Sequence, residues 1–405
     1  MAFPRQGASL ALALLPLCTL AASGERAPRE PQLPSAIDAA VHDLCGERVA
    51  LLGESPVHGL GRTLEFKVTL VRRLVEECHY DAFFIESGTY DFLNIQRKLK
   101  SGGQITQPML VAAIGGLWAA REVEPMIPFL MKKANAGALF LGGLDDQLQR
   151  GTYAQHEMPA DLVHYLQGDV KQGCLHTLER HTLWQYTNDS PYSPKDKALI
   201  LGCVDQIEAA ASTSRSADTT YDLAMLRSLR HSLAGDFAPD IPGADPRIQG
   251  FNDRDRSMYQ NFQWLMSRLP ARSKVIVWTA TNHAAKDLSG IPGQERIVSL
   301  GSYIHRAFTT RAFALGFSAY SGTYVVISAR QSVRQWSVAP TTSLEGQAFA
   351  TGSSDTRYLN SAQLRKAGPI AARPTSAEFK TAKWDEVLDG VVIFREERPP
   401  NFSKP

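Results

Sequence analysis

Five short apolar runs constrain this chain more than any other feature. They are RVALLG (Arg48–Gly53), DAFFIE (Asp81–Glu86), ALFLGGL (Ala138–Leu144), KVIVWT (Lys274–Thr279) and GVVIFR (Gly390–Arg395). Each is too short for a buried helix, and none alternates between apolar and polar residues. A strand without alternation is buried on both faces, which is the pattern of a parallel sheet with helices on either side. Between the first two runs, Leu64, Val68, Val71, Leu74, Val75 and Cys78 recur at the helical period, so Thr63–Cys78 is predicted to be a helix. Helical patterns also run through Ile95 and across Met109–Lys133. The expected fold class is therefore α/β, with a mainly parallel sheet covered by helices.

The remaining segments are less regular. Residues 149–269 are polar and helical and predict an insertion or cap on the sheet. Ala312–Ser328 is aromatic and β-branched with Ser321-Gly322 at its middle, which predicts a hairpin-like pair of strands. Gln331–Lys383 has few long apolar runs and is expected to form surface loops. No internal repeat is visible. With 405 residues, 44% of them hydrophobic, the chain can build a substantial core. Lys and Arg number 43 against 41 Asp and Glu, with no basic run, which argues against a nucleic-acid partner.

The N-terminus has the form of a secretory signal over residues 1–24, leaving 25–405 as the mature domain. Arg5 supplies the positive start, Ser9–Ala22 the apolar stretch, and Ala22-Ser23-Gly24 the small residues for cleavage. A secreted or periplasmic protein is expected. Leu17 ahead of Cys18 is too large for a good lipoprotein site. No later run is long enough to span a bilayer. Cys45, Cys78, Cys174 and Cys203 then permit two bridges in three pairings, or four buried thiols. They lack metal-ligand spacing.

The polar residues at the strand ends point to function. Glu54 and His58 follow the first run, Glu86 ends the second, Asp145 follows the third and His283 follows the fourth. In an open parallel sheet the carboxyl ends of the strands lie on one edge, where ligand crevices form. Residues more than 200 positions apart can therefore share a pocket. A histidine, with an ordinary pKa near ~6.5, can take a proton from water. A neighbouring carboxylate can fix its tautomer. Lys67, on the following helix, could stabilise developing negative charge. Taken singly, each residue also has a structural reading: a solvated turn glutamate, a loop histidine, a strand-end or helix-capping acid. No G-x-S-x-G elbow, H-E-x-x-H pair or Walker A loop is present, and the constellation calls for no cofactor.

In order along the chain, several segments resemble the erythromycin esterase family. GESPVHG is similar to its G-E-x-x-H-G loop. LEFKVTLVRRLVEECHYDAFFIESG is similar to its next helix and strand, and FLGGLDDQ to its G-x-D-x-Q segment. RDRSMYQNFQWL, from Arg254, resembles its R-D-x-x-M-A-x-N helix, KVIVWTATNHAAKD its W-A-H-N-x-H strand end, and WDEVLDGVVIFREERP its final strand. The resemblance implies an α/β fold with a cleft at the strand ends. It implies hydrolysis of a carboxylic ester, in the best-known members a macrolide lactone, by histidine-activated water without a covalent intermediate. His58 then matches the base, Glu54 its partner, Lys67 the family's usual arginine, Glu86 the strand-end glutamate and His283 the second histidine. Some relatives are named for roles in polysaccharide biosynthesis, so the small-molecule ester or lactone is not fixed.

Three departures stand out. Three residues rather than two separate Glu54 from His58. Ala280 stands where the family has the first histidine of its pair. Lys67 exchanges a planar fork for a point charge. Trp118, Trp264 and Tyr259 could wall a substrate cleft or simply pack in the core. The alternative function is a non-catalytic protein on the same scaffold that binds metal or haem, with Glu54, His58, Glu86, Asp145 and His283 as ligands.

Overall fold

The computed structural model describes residues 35–116, 120–214, 216, 218–238, 242–326 and 332–402. Residues 1–24, expected to be a secretory signal, and Trp118 lie outside the described residues. The chain from Ser35 onward forms one compact unit.

The apolar runs form the strands β1 (Val49–Leu52), β2 (Ala82–Gly88), β3 (Phe140–Asp145), β4 (Val275–Trp278) and, further along, β10 (Gly390–Glu397). Between β4 and β10 lie β5 (Ala312–Val326), β6 (Ser332–Trp336), β7 (Thr356–Asn360), β8 (Pro369–Ala372) and β9 (Lys380–Lys383). The main sheet has the order β3-β2-β4-β1-β5-β10-β7. Its first six strands are parallel; β7 runs antiparallel to β10, and β6 antiparallel to the end of β5. The α/β expectation, with a mainly parallel sheet, is met. β4 lies between β1 and β2, so these two strands, consecutive in sequence, are not neighbours.

Alternate side chains of β1 explain the two covered faces. Ala50 and Leu52 pack with Leu44 of helix α1 (Ala36–Cys45) and with Leu64, Val71 and Leu74 of helix α2 (Gly61–Glu77). Val49 and Leu51 pack on the opposite face with Met258, Phe262, Leu300 and Ile304. The first two of these come from the helix Pro246–Met266 and the others from the helix Leu300–Phe308. The period read for residues 63–78 is the buried stripe of α2. Lys67 lies on that stripe, three residues after Leu64, which is why a lysine is fully buried there.

Between β3 and β4 the chain is helical. The helices Gly168–Thr182, Pro194–Ser212 and Thr219–Asp236 pack around Ile200, Val204, Met225 and Leu229. A capping box between Ser193 and Asp196 starts the second of them. Cys174 bonds to Cys203 within this layer, and Cys45 bonds to Cys78 at the ends of α1 and α2. Of the arrangements open in the sequence, the chain adopts this pairing. Among the described residues no helix is long and apolar enough to cross a membrane.

Two expectations are corrected. Ala312–Ser328 is not a hairpin turning at Ser321-Gly322. β5 is one strand of 15 residues that pairs with β1 and β10 and, beyond Ser321, with β6. Gly322 takes φ +123°, and a Cβ there would lie 2.0 Å from the Glu397 carbonyl, so glycine serves a close strand crossing, not a turn. Nor is 331–383 a run of surface loops. It contains β6 to β9 and buries Leu344, Leu364, Ile370 and Ala372. Elements of four to seven residues there bury only a few core side chains each, which leaves no apolar run to see.

Candidate active site

β1 delivers the first group of residues. After Leu52 the chain passes through Gly53, whose N–H donates to the Leu315 carbonyl at 2.8 Å. The Glu54 carbonyl accepts from the Thr281 N–H at 2.6 Å, tying this turn to the segment after β4. The Glu54 side chain is fully buried and points at His58, with Oε1 3.0 Å from Nδ1. The longer loop therefore still brings acid and base together. The His58 N–H donates to the Ser55 carbonyl at 3.0 Å, and His58 takes φ +55°, a left-handed conformation uncommon outside glycine. The added residue is absorbed in this turn.

Gly59 fixes the exit from the turn. Its carbonyl accepts from the Val325 N–H at 3.1 Å, and a Cβ on Gly59 would lie 1.9 Å from the Val325 carbonyl oxygen. Only glycine permits this approach.

Lys67 lies beneath Glu54. Its Nζ is 3.6 Å from Glu54 Oε2, donates to the Thr279 carbonyl at 3.4 Å, and sits 4.1 Å from the centre of the Trp278 ring. Burial disfavours the ammonium more than Glu54 and Glu86 favour it, and the Lys67 pKa drops to about 8.

The second group is built on Glu86. Pairing of β2 with β3 shifts register between Ile85 and Gly88, an irregularity of the kind that re-aims a side chain. Glu86 Oε2 accepts from Thr279 Oγ1 at 2.7 Å and from the Ala280 N–H at 2.8 Å; Oε1 accepts from Arg254 Nη2 at 2.8 Å. Ala280, in place of the family's first histidine, thus contributes its backbone N–H to Glu86. Burial works against the Glu86 carboxylate, but His283 and Arg254 outweigh it and hold its pKa well below the usual carboxylate range.

His283 sits on the short helix Thr281–Ala284. Its Nδ1 lies 2.8 Å from Asp255 Oδ2, and its ring stacks on Phe251 with centroids 4.7 Å apart. Its Nε2 is 3.0 Å from Arg254 Nη1 and 3.3 Å from Glu86 Oε1. Burial opposes the imidazolium, yet Asp255 and Glu86 more than offset it and raise the pKa to about 10. Arg254 closes the network by donating from Nη2 to Asp145 Oδ2 at 2.6 Å.

All five residues singled out by sequence lie at the carboxyl edge of the sheet. The segment Thr279–Thr281 touches Lys67, Glu86 and Glu54 in turn and joins the two groups. Sequence reasoning assigned no role to Arg254 or Asp255. Both belong to a helix rather than a strand end; the visible signal was an adjacent Arg-Asp pair in a helix that must bury one face. Among the cleft aromatics, Trp264 packs edge-on against Tyr221, 6.1 Å between ring centres. Tyr259 stacks on Tyr303 and lines a groove with Arg48 and Arg311, which precede β1 and β5. That groove is at the opposite edge of the sheet, so Tyr259 does not reshape this site. Among the described residues no group of three or more His, Cys, Asp or Glu is placed to hold a metal ion.

The fold and chain order have relatives. YbfO of Bacillus subtilis (strain 168), named as a candidate hydrolase, is 23% identical over 332 residues, covering 75% of this chain and 72% of that protein. A crystal structure described as a succinoglycan biosynthesis protein superposes with TM-score 0.68 at 14% identity, over 92% of this chain and 94% of that one. A mutant of the erythromycin esterase EreC in its open conformation superposes with TM-score 0.64 at 14% identity, over 91% and 95%. The erythromycin esterase family profile matches residues 75–396, which include Glu86, Arg254, Asp255 and His283 and begin after the Glu54–His58 turn. With most of its length so matched, the chain belongs to the erythromycin esterase family.

Proposed function

We propose that the protein hydrolyses a carboxylic ester or lactone, with water activated by His58 as the nucleophile. The observation that carries this reading is the 3.0 Å contact between His58 Nδ1 and the buried Glu54. A carboxylate at that distance keeps the proton on Nδ1 and makes Nε2 the basic nitrogen of the ring. His58 Nε2 takes a proton as the oxygen of water adds to the acyl carbon. The tetrahedral intermediate then expels the alkoxide, which leaves as alcohol with a proton from the imidazolium, and the carboxylic acid remains. Lys67 positions Glu54 from below. Arg254 and His283 place fixed positive charge beside Glu86, at the edge where negative charge develops on the acyl oxygen. Membership of the erythromycin esterase family supports hydrolase chemistry. The N-terminal signal-like stretch and the two disulfides support action outside the reducing cytosol.

The test is hydrolysis of a large-ring macrolide lactone and a panel of chromogenic esters, with His58→Ala and Glu54→Gln alongside. Gain of one water by a substrate, reduced by ~10²–10⁴ in His58→Ala, is the expected result. Equal turnover by both proteins would remove His58 from the chemistry.

A further inference from the structure

Next to the Glu86–Arg254–Asp145 network lies a cavity of about 530 Å³ that none of those residues needs for its contacts. Its volume is within the ~300–1,000 Å³ of small-molecule sites. Arg254 belongs to both, so whatever fills the cavity touches the candidate active site. One wall is a side of the helix Pro246–Met266, where Gln249, Asp253, Ser257 and Gln260 recur at helical spacing. Asp146 and Gln147, after β3, and His231, near the end of the helix Thr219–Asp236, complete it. Ser257 Oγ donates to Asp146 Oδ2 at 2.6 Å and lies 3.5 Å from His231 Nδ1.

The chemistry of this lining is selective. Among the described residues no Phe, Tyr or Trp contributes to it, and the apolar side chains that line it are Ala234, Ala238 and Pro246. A macrolide-like apolar ring would strip water from amides, carboxylates and guanidinium groups without replacing their hydrogen bonds, which is unfavourable for each buried group left unpaired. An anionic group would meet Asp146 and Asp253, and a cationic one Arg254 and Arg256. Donors and acceptors of both signs stand side by side, which suits a neutral group bearing many hydroxyls, since each hydroxyl both donates and accepts.

We infer that this cavity is the subsite for a glycosyl portion of the substrate, so that the ester cleaved is one borne by a sugar. The inference rests on the reading of the neighbouring centre as an ester hydrolase. It is tested with two esters of equal ring size: the acetyl ester of the primary hydroxyl of methyl glucoside, and cyclohexylmethyl acetate. The wild-type protein is expected to favour the sugar ester by at least ~10-fold in kcat/KM, as a site built to bind hydroxyls discriminates against the analogue lacking them. In the Gln249→Leu/Gln260→Leu variant that preference falls toward unity. No preference in the wild type, or a preference unchanged in the variant, overturns the subsite. If neither ester is hydrolysed, the hydrolase reading is decided by the macrolide and chromogenic esters above, and the subsite is judged by saturation-transfer NMR with methyl glucoside and cyclohexylmethanol. Selective binding of the glucoside, lost in the variant, supports it; equal or absent signals overturn it.

Discussion

The Val325 N–H donates to the carbonyl of Gly59, one residue after His58, and the two backbones approach so closely that no side chain fits between them. The far end of β5 thus anchors the turn that carries the proposed base. Gly59→Ala puts a methyl group into the Val325 carbonyl. Small displacements of catalytic groups are costly, so kcat is expected to fall about 10²-fold while KM changes little. Kinetics on any accepted ester, with circular dichroism to confirm folding, check this. Unchanged kcat in a folded variant would show that the clamp is irrelevant to His58.

Lys67 sets an alkaline limit. Its pKa of about 8 means that the ammonium holding Glu54 is lost as pH rises through that value. kcat/KM is expected to decline above pH ~8 as the lysine neutralises. Lys67→Arg keeps the charge, because arginine stays protonated in proteins. Its pH–rate profile should stay level where the wild type falls. Parallel declines in both proteins would assign the limb to another group.

His283 makes stability depend on pH in a defined direction. Its folded pKa, about 10, lies above the ordinary histidine value of ~6.5. The folded state therefore binds the extra proton, and this contribution is complete below pH ~6.5 and lost as pH rises through about 10. Lys67 acts oppositely, since its folded pKa lies below that of an unfolded lysine; its penalty fades between about 8 and ~10.5. In urea unfolding from pH 6.5 to 8 the buried carboxyls of Asp91 and Glu397, pushed up to about 7, also lose their protons, in wild type and variant alike. The wild type should lose more stability across this range than His283→Gln, by on the order of 1–2 kcal/mol. Identical slopes would mean that the histidine carries no stabilising proton.

Arg254 neutralises Glu86 and Asp145, both buried. Arg254→Met leaves buried Asp145 without this counter-charge and Glu86 with His283 alone. A loss of ~3–5 kcal/mol is expected, as for a broken buried ion pair. The loss should shrink at acid pH, where the freed carboxylates can protonate. A variant as stable as the wild type at neutral pH would contradict this account.

Much of the fold is visible in the sequence because the central strands are buried on both faces and therefore continuously apolar. β5 was misread because a strand that leaves one pair of neighbours for another carries a glycine where it crosses, as a turn does. β7 to β9 lie at an edge or in a separate two-stranded sheet, and their segments TRYLN, PIAA and KTAK carry no run. The same logic divides the candidate site. Glu54, Glu86 and His283 could be found because a polar residue directly after an apolar strand is conspicuous. Arg254 and Asp255 sit among other charges on a helix, where only the folded arrangement shows that Asp255 faces inward.

The place of β4 between β1 and β2 has a consequence for how the protein comes into being. Residues 49–52 and 82–88 leave the ribosome early, but the strand that separates them is made only after residue 274. Until then the middle of the sheet is missing, and the Thr279–Thr281 junction that links the two halves of the site has not been synthesised. No nascent chain that ends before this junction can assemble the centre. Catalytic turnover would therefore report that β4 has taken its place between β1 and β2.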